Sequence, residues 1–172
     1  MISEKMQKAL NGQINAEYYS AFLYLSMSAY FESKGLKGFA NWMRVQYQEE
    51  LIHAEKFYGF VNEREGRVVL ADIKAPPPSW SSPLAAFEDA VGHERKVSSL
   101  INDLVDLSLE EKDHATNNFL QWFVAEQVEE EASVSEVRDQ IKLAGETGGG
   151  MFMIDRELGG RTFTPPASTS EA

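Results

Sequence analysis

Acids sit in the middle of all four helical stripes that this chain offers as its core. The first stripe is Leu10, Ile14, Glu17, Ala21, Tyr24, Ser28 and Phe31; the second is Phe39, Met43, Gln46, Glu50, His53, Phe57 and Phe60. The third is Phe87, Ala90, Glu94, Val97, Ile101 and Leu104; the fourth is Leu120, Phe123, Gln127, Glu130, Val134, Val137 and Ile141. Apolar residues at intervals of three and four predict four amphipathic helices. Taking an unpaired carboxylate out of water costs several kcal/mol, so a buried acid takes up a proton or finds a cation. Acids from four helices meeting in one core ask for a shared positive partner. A metal centre is the simplest one.

The spacing supports that reading. Glu17 precedes Glu50 by 33 residues, and Glu94 precedes Gln127 by 33. In each half a lone carboxylate is followed, one helix later, by an i, i+3 pair that shares a helix face. Phe39-Ala-Asn-Trp-Met resembles Thr116-Asn-Asn-Phe-Leu at a shift of 77 residues. Two related helical hairpins closing around a pseudo-twofold site are predicted.

An all-α domain follows, with these bounds. Ser3 is the expected N-cap of a helix reaching about Lys34, with Gly35 past its end. A second helix runs to about Glu65, with Gly66 as its stop. Ser82 and Pro83 start a third helix that ends near Leu109, and Asp113 caps a fourth that ends by Gly145. Between the second and third lies an extended stretch, Arg67 to Ser81, containing Pro76-Pro77-Pro78. At ~3.1 Å per residue its length reaches about 45 Å. A helix of such a bundle is about 42 Å long, so the linker spans it and leaves helices two and three parallel. The expectation is a four-helix bundle over 1–145 with one long crossover. A flexible break at Gly148-Gly149-Gly150 then leads to a short fifth helix from Met151 within 146–159, and a flexible tail covers 160–172.

Composition narrows the function. The formal net charge of -11 argues against a nucleic-acid partner, which calls for a basic face. There is no cysteine, so thiolate and iron–sulfur ligation are excluded, and a cytoplasmic location is compatible. The chain shows neither a signal-peptide pattern nor an apolar run near the ~20 residues of a membrane span.

Carboxylates, one imidazole and no thiolate suit iron or manganese, with zinc as a competitor. Glu50 is placed to bridge two ions. Glu17, Glu50 and His53 hold the first in this reading; Glu50, Glu94 and Glu130 hold the second, with Gln127 nearby. Glu49, Glu126, Glu129 and Glu130 offer a third position, for which a solvated acidic face is the open alternative. Tyr24 is placed to donate to a ligand or to supply an electron, against ordinary core packing, and Gln46 to hydrogen-bond a ligand. Trp122 is expected in the aromatic core, and His93 and His114 at the surface.

Several segments together resemble the prokaryotic non-haem ferritins. They are Asn15-Ala-Glu17-Tyr-Tyr-Ser, Gln48-Glu49-Glu50-Leu-Ile-His53, Ser79-Trp-Ser-Ser-Pro83, Glu94, and Phe119 to Glu131 with Glu126-Gln127-Val-Glu129-Glu130. The resemblance covers nearly the whole chain. It implies a ferritin-like bundle, Fe(II) oxidation by O2 or H2O2 at a dinuclear ferroxidase centre, and storage as ferric oxyhydroxide in a homo-oligomeric cage, usually a 24-mer. It also implies the two iron sites and the third site on the residues named above, Tyr24 beside the centre, and a fifth helix packed at a symmetry axis. Bacterioferritins carry Glu-x-x-His in the fourth helix where this chain has Gln127-x-x-Glu130. They place a haem-ligating Met where this chain has Leu51, so no haem is expected. Two other readings stand beside iron storage: a peroxide-consuming di-iron protein, and a helical scaffold whose acids are structural.

Overall fold

Helix caps set the ends of the bundle. The computed structural model describes residues 2–145 and 148–164. Its elements are α1 (Glu4–Ser33), α2 (Lys37–Glu63), α3 (Pro83–Glu110), α4 (His114–Ala144) and α5 (Gly149–Leu158). Ser3, Ser82 and Asp113 each accept a backbone N–H with the side chain, as expected of N-caps. Gly35, at φ +75°, turns α1 into α2.

Two expected ends differ in their cause. At the end of α2 the left-handed residue is Glu65 (φ 59°), not Gly66. Gly66 is small for another reason: a Cβ there would lie 3.0 Å from Ile2 and Val61. Gly149 and Gly150 form the first turn of α5 instead of a flexible break, and Gly150 rests on Ala144.

The crossover climbs α1. Gln7 and Asn11 accept from the backbone N–H groups of Arg67 and Val69, and Asn11 and Asn15 donate to the carbonyls of Arg67 and Asp72. Further up, Ser26 donates to the Pro77 carbonyl at 2.6 Å. Each of these extended backbone groups finds a side chain in place of a sheet partner. α3 therefore begins at the end of the bundle where α2 begins, and Phe87 packs against Phe39 and Trp42 there. Helices two and three are parallel, as the linker length demanded.

Two apolar layers fill the interior. One holds Met27, Phe31, Phe39, Met43, Phe87 and Ile141. The other holds Met6, Leu10, Phe57, Ile101, Leu120 and Phe123. Between them lies a belt of buried polar residues that includes Glu17, Glu50, His53, Glu94, Gln127 and Glu130.

α5 docks on the start of α2. The N-cap of α2, Leu36, has no side chain able to accept. Asp155 Oδ1 accepts from Gly38 N and Phe39 N at 2.8 and 3.1 Å, so α5 supplies the missing cap. The approach needs Gly38, because a Cβ there would overlap the Asp155 carbonyl. Gly38→Ala is expected to push α5 off and to cost about 2–4 kcal/mol, read as a lower denaturant midpoint. A midpoint equal to that of the parent would mean that α5 contributes nothing there.

The stretch expected as a loose tail is anchored over its first residues. Asn41 donates to the carbonyls of Leu158 and Arg161 at 3.2 and 2.9 Å. The remainder of that tail, from 165, lies outside the described residues, as do 146 and 147.

Candidate metal centre

Each acid of the belt comes from the middle of a different helix, and each is held by a donor. On α1, Glu17 accepts from Gln13 Nε2 at 2.8 Å. Its other oxygen, Oε2, is buried and accepts from no nitrogen donor among the described residues; only the Glu50 carboxyl lies against it. On α2, Glu50 Oε2 lies 3.3 Å from His53 Nδ1. On α3, Glu94 accepts from the Tyr24 hydroxyl and from Gln127 Nε2, the latter at 3.2 Å. On α4, Glu130 Oε2 accepts from Gln46 Nε2 at 2.6 Å. Glu17, Glu50 and Glu94 are each at most 1 % exposed, and Glu130 is 5 % exposed. Water therefore cannot dissipate their charge.

Protons take its place. Burial raises Glu17 and Glu94, and it raises Glu50 well above the ordinary carboxylate value. Burial, reinforced by the Glu94 charge, lifts Glu130 to about 8. Burial alone would lower His53, but hydrogen bonds to Glu126 and Glu50 and the nearby carboxylate charges hold it well above the ordinary imidazole value. Tyr24 is raised well above its usual value by burial and by Glu94. At neutral pH the cluster holds protons that a metal ion would have to displace.

Two groups of three have ligand atoms within 4.8 Å of one another among the described residues: Glu17, Glu50 and His53, and His53, Glu126 and Glu130. The first is the expected ligand set of one ion. The second set, Glu50, Glu94 and Glu130, is not drawn together to that degree; each of these acids has its own neutral or imidazole partner. Hydrogen bonds tie each acid to its own neighbour instead: Gln46 holds Glu130, Tyr24 and Gln127 hold Glu94, and His53 holds Glu50. The expected third group is likewise split. Glu129 is exposed and belongs to neither triad. Glu49 is paired with Arg161 at 2.7 Å. His53 faces Glu126 across 3.8 Å instead.

Two expectations about aromatic residues are overturned. Trp122 is 37 % exposed; its ring meets His53 edge-on at 5.5 Å and lies under Lys56 Nζ at 4.2 Å. It covers the imidazole from outside because α4 turns its ring away from the apolar layer. His93 is half-buried, not a surface residue. It shares a hydrogen bond of 2.7 Å with Ser20 Oγ and packs against Tyr19 and Tyr24, and burial lowers its pKa to about 4. His114 is exposed, as expected.

The donor set fits a hard or borderline dication. It offers carboxylate oxygens and one imidazole, and among the described residues Glu17 Oε2 has only the Glu50 carboxyl to meet it. An oxygen left so costs about 1–3 kcal/mol unless something positive meets it. Gln13 and Arg161 were missed by sequence reasoning. Gln13 was findable as a buried polar residue one turn before Glu17. Arg161 follows a glycine pair far down the chain, and no local pattern marks it.

Residues 7–144 match the model of the ferritin-like domain. The chain belongs to the ferritin family. A bacterial non-heme ferritin of Bacteroides fragilis is 50 % identical over 161 residues, covering 94 % of this chain and all of that one. One of Staphylococcus epidermidis is 37 % identical over 163 residues, covering 95 % and 98 % of the two chains. An open-pore ferritin from the archaeon Archaeoglobus fulgidus superposes with a TM-score of 0.93 at 57 % identity, covering 94 % of this chain and 100 % of that one. The ferritin fold accounts for both hairpins, the crossover and the short fifth helix, and it is a fold of iron proteins. No helix among the described residues is long and apolar enough to cross a membrane.

Proposed function

We propose that this ferritin stores iron. Fe(II) enters the polar belt as a pair, is oxidised there by O2 or H2O2, and is laid down as ferric oxyhydroxide inside a homo-oligomeric cage of 24 subunits in the cytoplasm. The observation that carries the reading is the burial of Glu17, Glu50, His53, Glu94 and Glu130 together in the middle of the bundle.

In this reading Glu17, Glu50 and His53 take one ferrous ion, and Glu50, Glu94 and Glu130 take the other, with Glu50 shared. Each Fe(II) gives one electron, so a pair supplies the two that take O2 to H2O2. Two ions held side by side present both electrons to one oxidant molecule. The protein groups handle protons and position. Glu50, Glu130 and His53 release theirs as iron arrives. Tyr24 fixes Glu94 through its hydroxyl, and Gln46 fixes Glu130. Glu126, beside His53, with Glu130 and Glu49 offers the further position for a third ion, which exposed Glu129 joins only by turning inward.

Mixing the metal-free protein aerobically with excess ferrous salt tests this. The expected product is a soluble particle of cage size holding many ferric ions per chain. Iron that precipitates as it does in buffer alone would overturn the reading. Stopped-flow rates with O2 and with H2O2 then identify the oxidant.

Gln127 sets a limit on retention. Its amide donates to Glu94 and brings no charge. Gln127→Glu removes that donor and adds a like charge. The metal-free chain is expected to lose about 1–3 kcal/mol. The loaded chain is expected to give up its second ion to a chelator about tenfold more slowly. Unaltered release would remove Gln127 from the neighbourhood of the ions.

A further inference from the structure

After α5 the chain turns back along α2. Asn41 holds the Arg161 carbonyl at 2.9 Å. The guanidinium lies over the Trp42 ring, 4.6 Å from its centroid, and Arg161 Nη2 meets Glu49 Oε2 at 2.7 Å. Trp42 itself is buried, so the guanidinium rests on a fixed platform. Beyond this contact, Phe163 and Thr164 line an open cleft of about 200 Å³ together with Glu49, His53, Trp122 and Glu126. Two of these four, His53 and Glu126, form with Glu130 the outer triad able to hold a cation. The strap 160–164 thus ends against the outer position of the metal centre, and its positive charge is set on the carboxylate at the mouth.

We propose that Arg161 is a tethered cation that competes with a metal ion for Glu49, so that the C-terminal strap sets how tightly the outer position of the centre fills. The proposal rests on the iron-site reading given above.

Two features make Arg161 a competitor and not a permanent clamp. It binds Glu49 through one nitrogen only, and its Nη1 is buried with no acceptor among the described residues. A bidentate fork, the strong form of this pair, is not made. The pair is also a quarter open to water, at 24 % and 26 % side-chain exposure, so its release does not strand a buried charge. With His53 given to the first ion, a dication arriving beside Glu126 and Glu130 competes with the guanidinium for the Glu49 carboxylate. Linkage makes the effect reciprocal: Arg161 on Glu49 weakens the outer ion by the factor by which the ion weakens the Arg161 contact. A position held weak in this way passes its ion on.

Zinc, which is redox-inert, is the probe. It is titrated calorimetrically into the metal-free full-length protein in its assembled state. The parent is expected to fill two tight positions and one weak position per chain. Arg161→Gln is expected to tighten the weak position about tenfold, within the ordinary range of site-to-site coupling, and to leave the two tight ones as they were. Arg161→Lys keeps a positive charge on the strap and is expected to return the weak position to within about threefold of the parent. A circular-dichroism melt and a sizing run confirm that both variants are folded and assembled. A third affinity that Arg161→Gln does not raise would overturn the proposal. So would an Arg161→Lys that tightens as much as Arg161→Gln, since charge would then not be the competitor. Failure of the iron-site reading looks different: the parent itself would then take up no tight zinc.

Discussion

Glu50→Ala is expected to abolish both tight metal positions and to slow ferrous oxidation by at least about 100-fold. Loss of a group that merely orients a ligand already costs 10–100-fold in metal affinity or activity. In the proposed site Glu50 is the ligand common to both ions, so its removal would strip each of them. Alanine also leaves a void at the meeting point of α1 and α2, which could unfold the chain for unrelated reasons. Glu50→Gln separates the two effects. It keeps the shape, discards the ionisable group, and relieves a carboxyl that burial already pushes toward its protonated form. Its metal-free form is expected to melt no lower than the parent, yet to show no tight binding by calorimetry and no oxidation above the buffer rate. A scaffold whose acids are structural predicts the opposite pattern: unchanged iron turnover in both variants. Rapid oxidation by Glu50→Gln would settle the matter against a site built on Glu50.

Why was so much of this bundle legible in the chain, and why was the rest not? What could be read was local or periodic. Ser3, Ser82 and Asp113 cap helices through their own side chains a few residues away, so position alone exposed them. Glu17, Glu50, Glu94 and Glu130 broke apolar stripes whose period fixed their direction. What could not be read depended on partners distant in sequence. Asp155 caps α2 from 117 residues away, and only the folded chain brings the two together. Arg161 reaches Glu49 across 112 residues for the same reason. His93 was placed at the surface because it points about a quarter turn from Glu94 on its own helix. That geometry holds, but α1 lies against that side, and Ser20, Tyr19 and Tyr24 enclose the ring. Helical periodicity gives the direction of a side chain; it does not say which neighbour waits there. The same limit divided the third group of acids. Sequence spacing put Glu49, Glu126 and Glu129 near each other, whereas the fold pairs the first with a guanidinium, turns the second to His53 and leaves the third in water.

Metal ions are expected to raise the melting temperature by roughly 10–20 °C, and by more at pH 8 than at pH 5.5. Two ions, each present at about 100 times its dissociation constant, add ~2.7 kcal/mol apiece. A domain of this size gains about 2–4 °C per kcal/mol. The pH dependence follows from the buried acids. Glu130 titrates near 8 in the folded chain and at its ordinary 4.5 when unfolded. Between those values the folded state holds the extra proton, so stability falls as pH rises through the window. Glu17, Glu50 and Glu94 are raised as well and act in the same direction. His53 is raised too: its contribution is complete below its unfolded value and is lost as pH climbs through the folded one. All five groups thus weaken the metal-free bundle with rising pH. Asp113, lowered overall by its bonds to Thr116 and Arg64 despite some burial, loses its contribution only as pH falls below 3.8, outside this range; His93, lowered by burial to about 4, acts the other way only up to its ordinary 6.5 and is outweighed by the five. A dication reverses the trend, because it takes the place of the protons and meets less competition as they leave. Melting curves at pH 5.5 and pH 8, with and without zinc, supply the four numbers needed. The metal-free curve should move down with pH, the loaded curve should move up relative to it, and the gap should close in Glu50→Gln. A gap that is equal at both pH values would mean that the ions bind somewhere other than among these protonated acids.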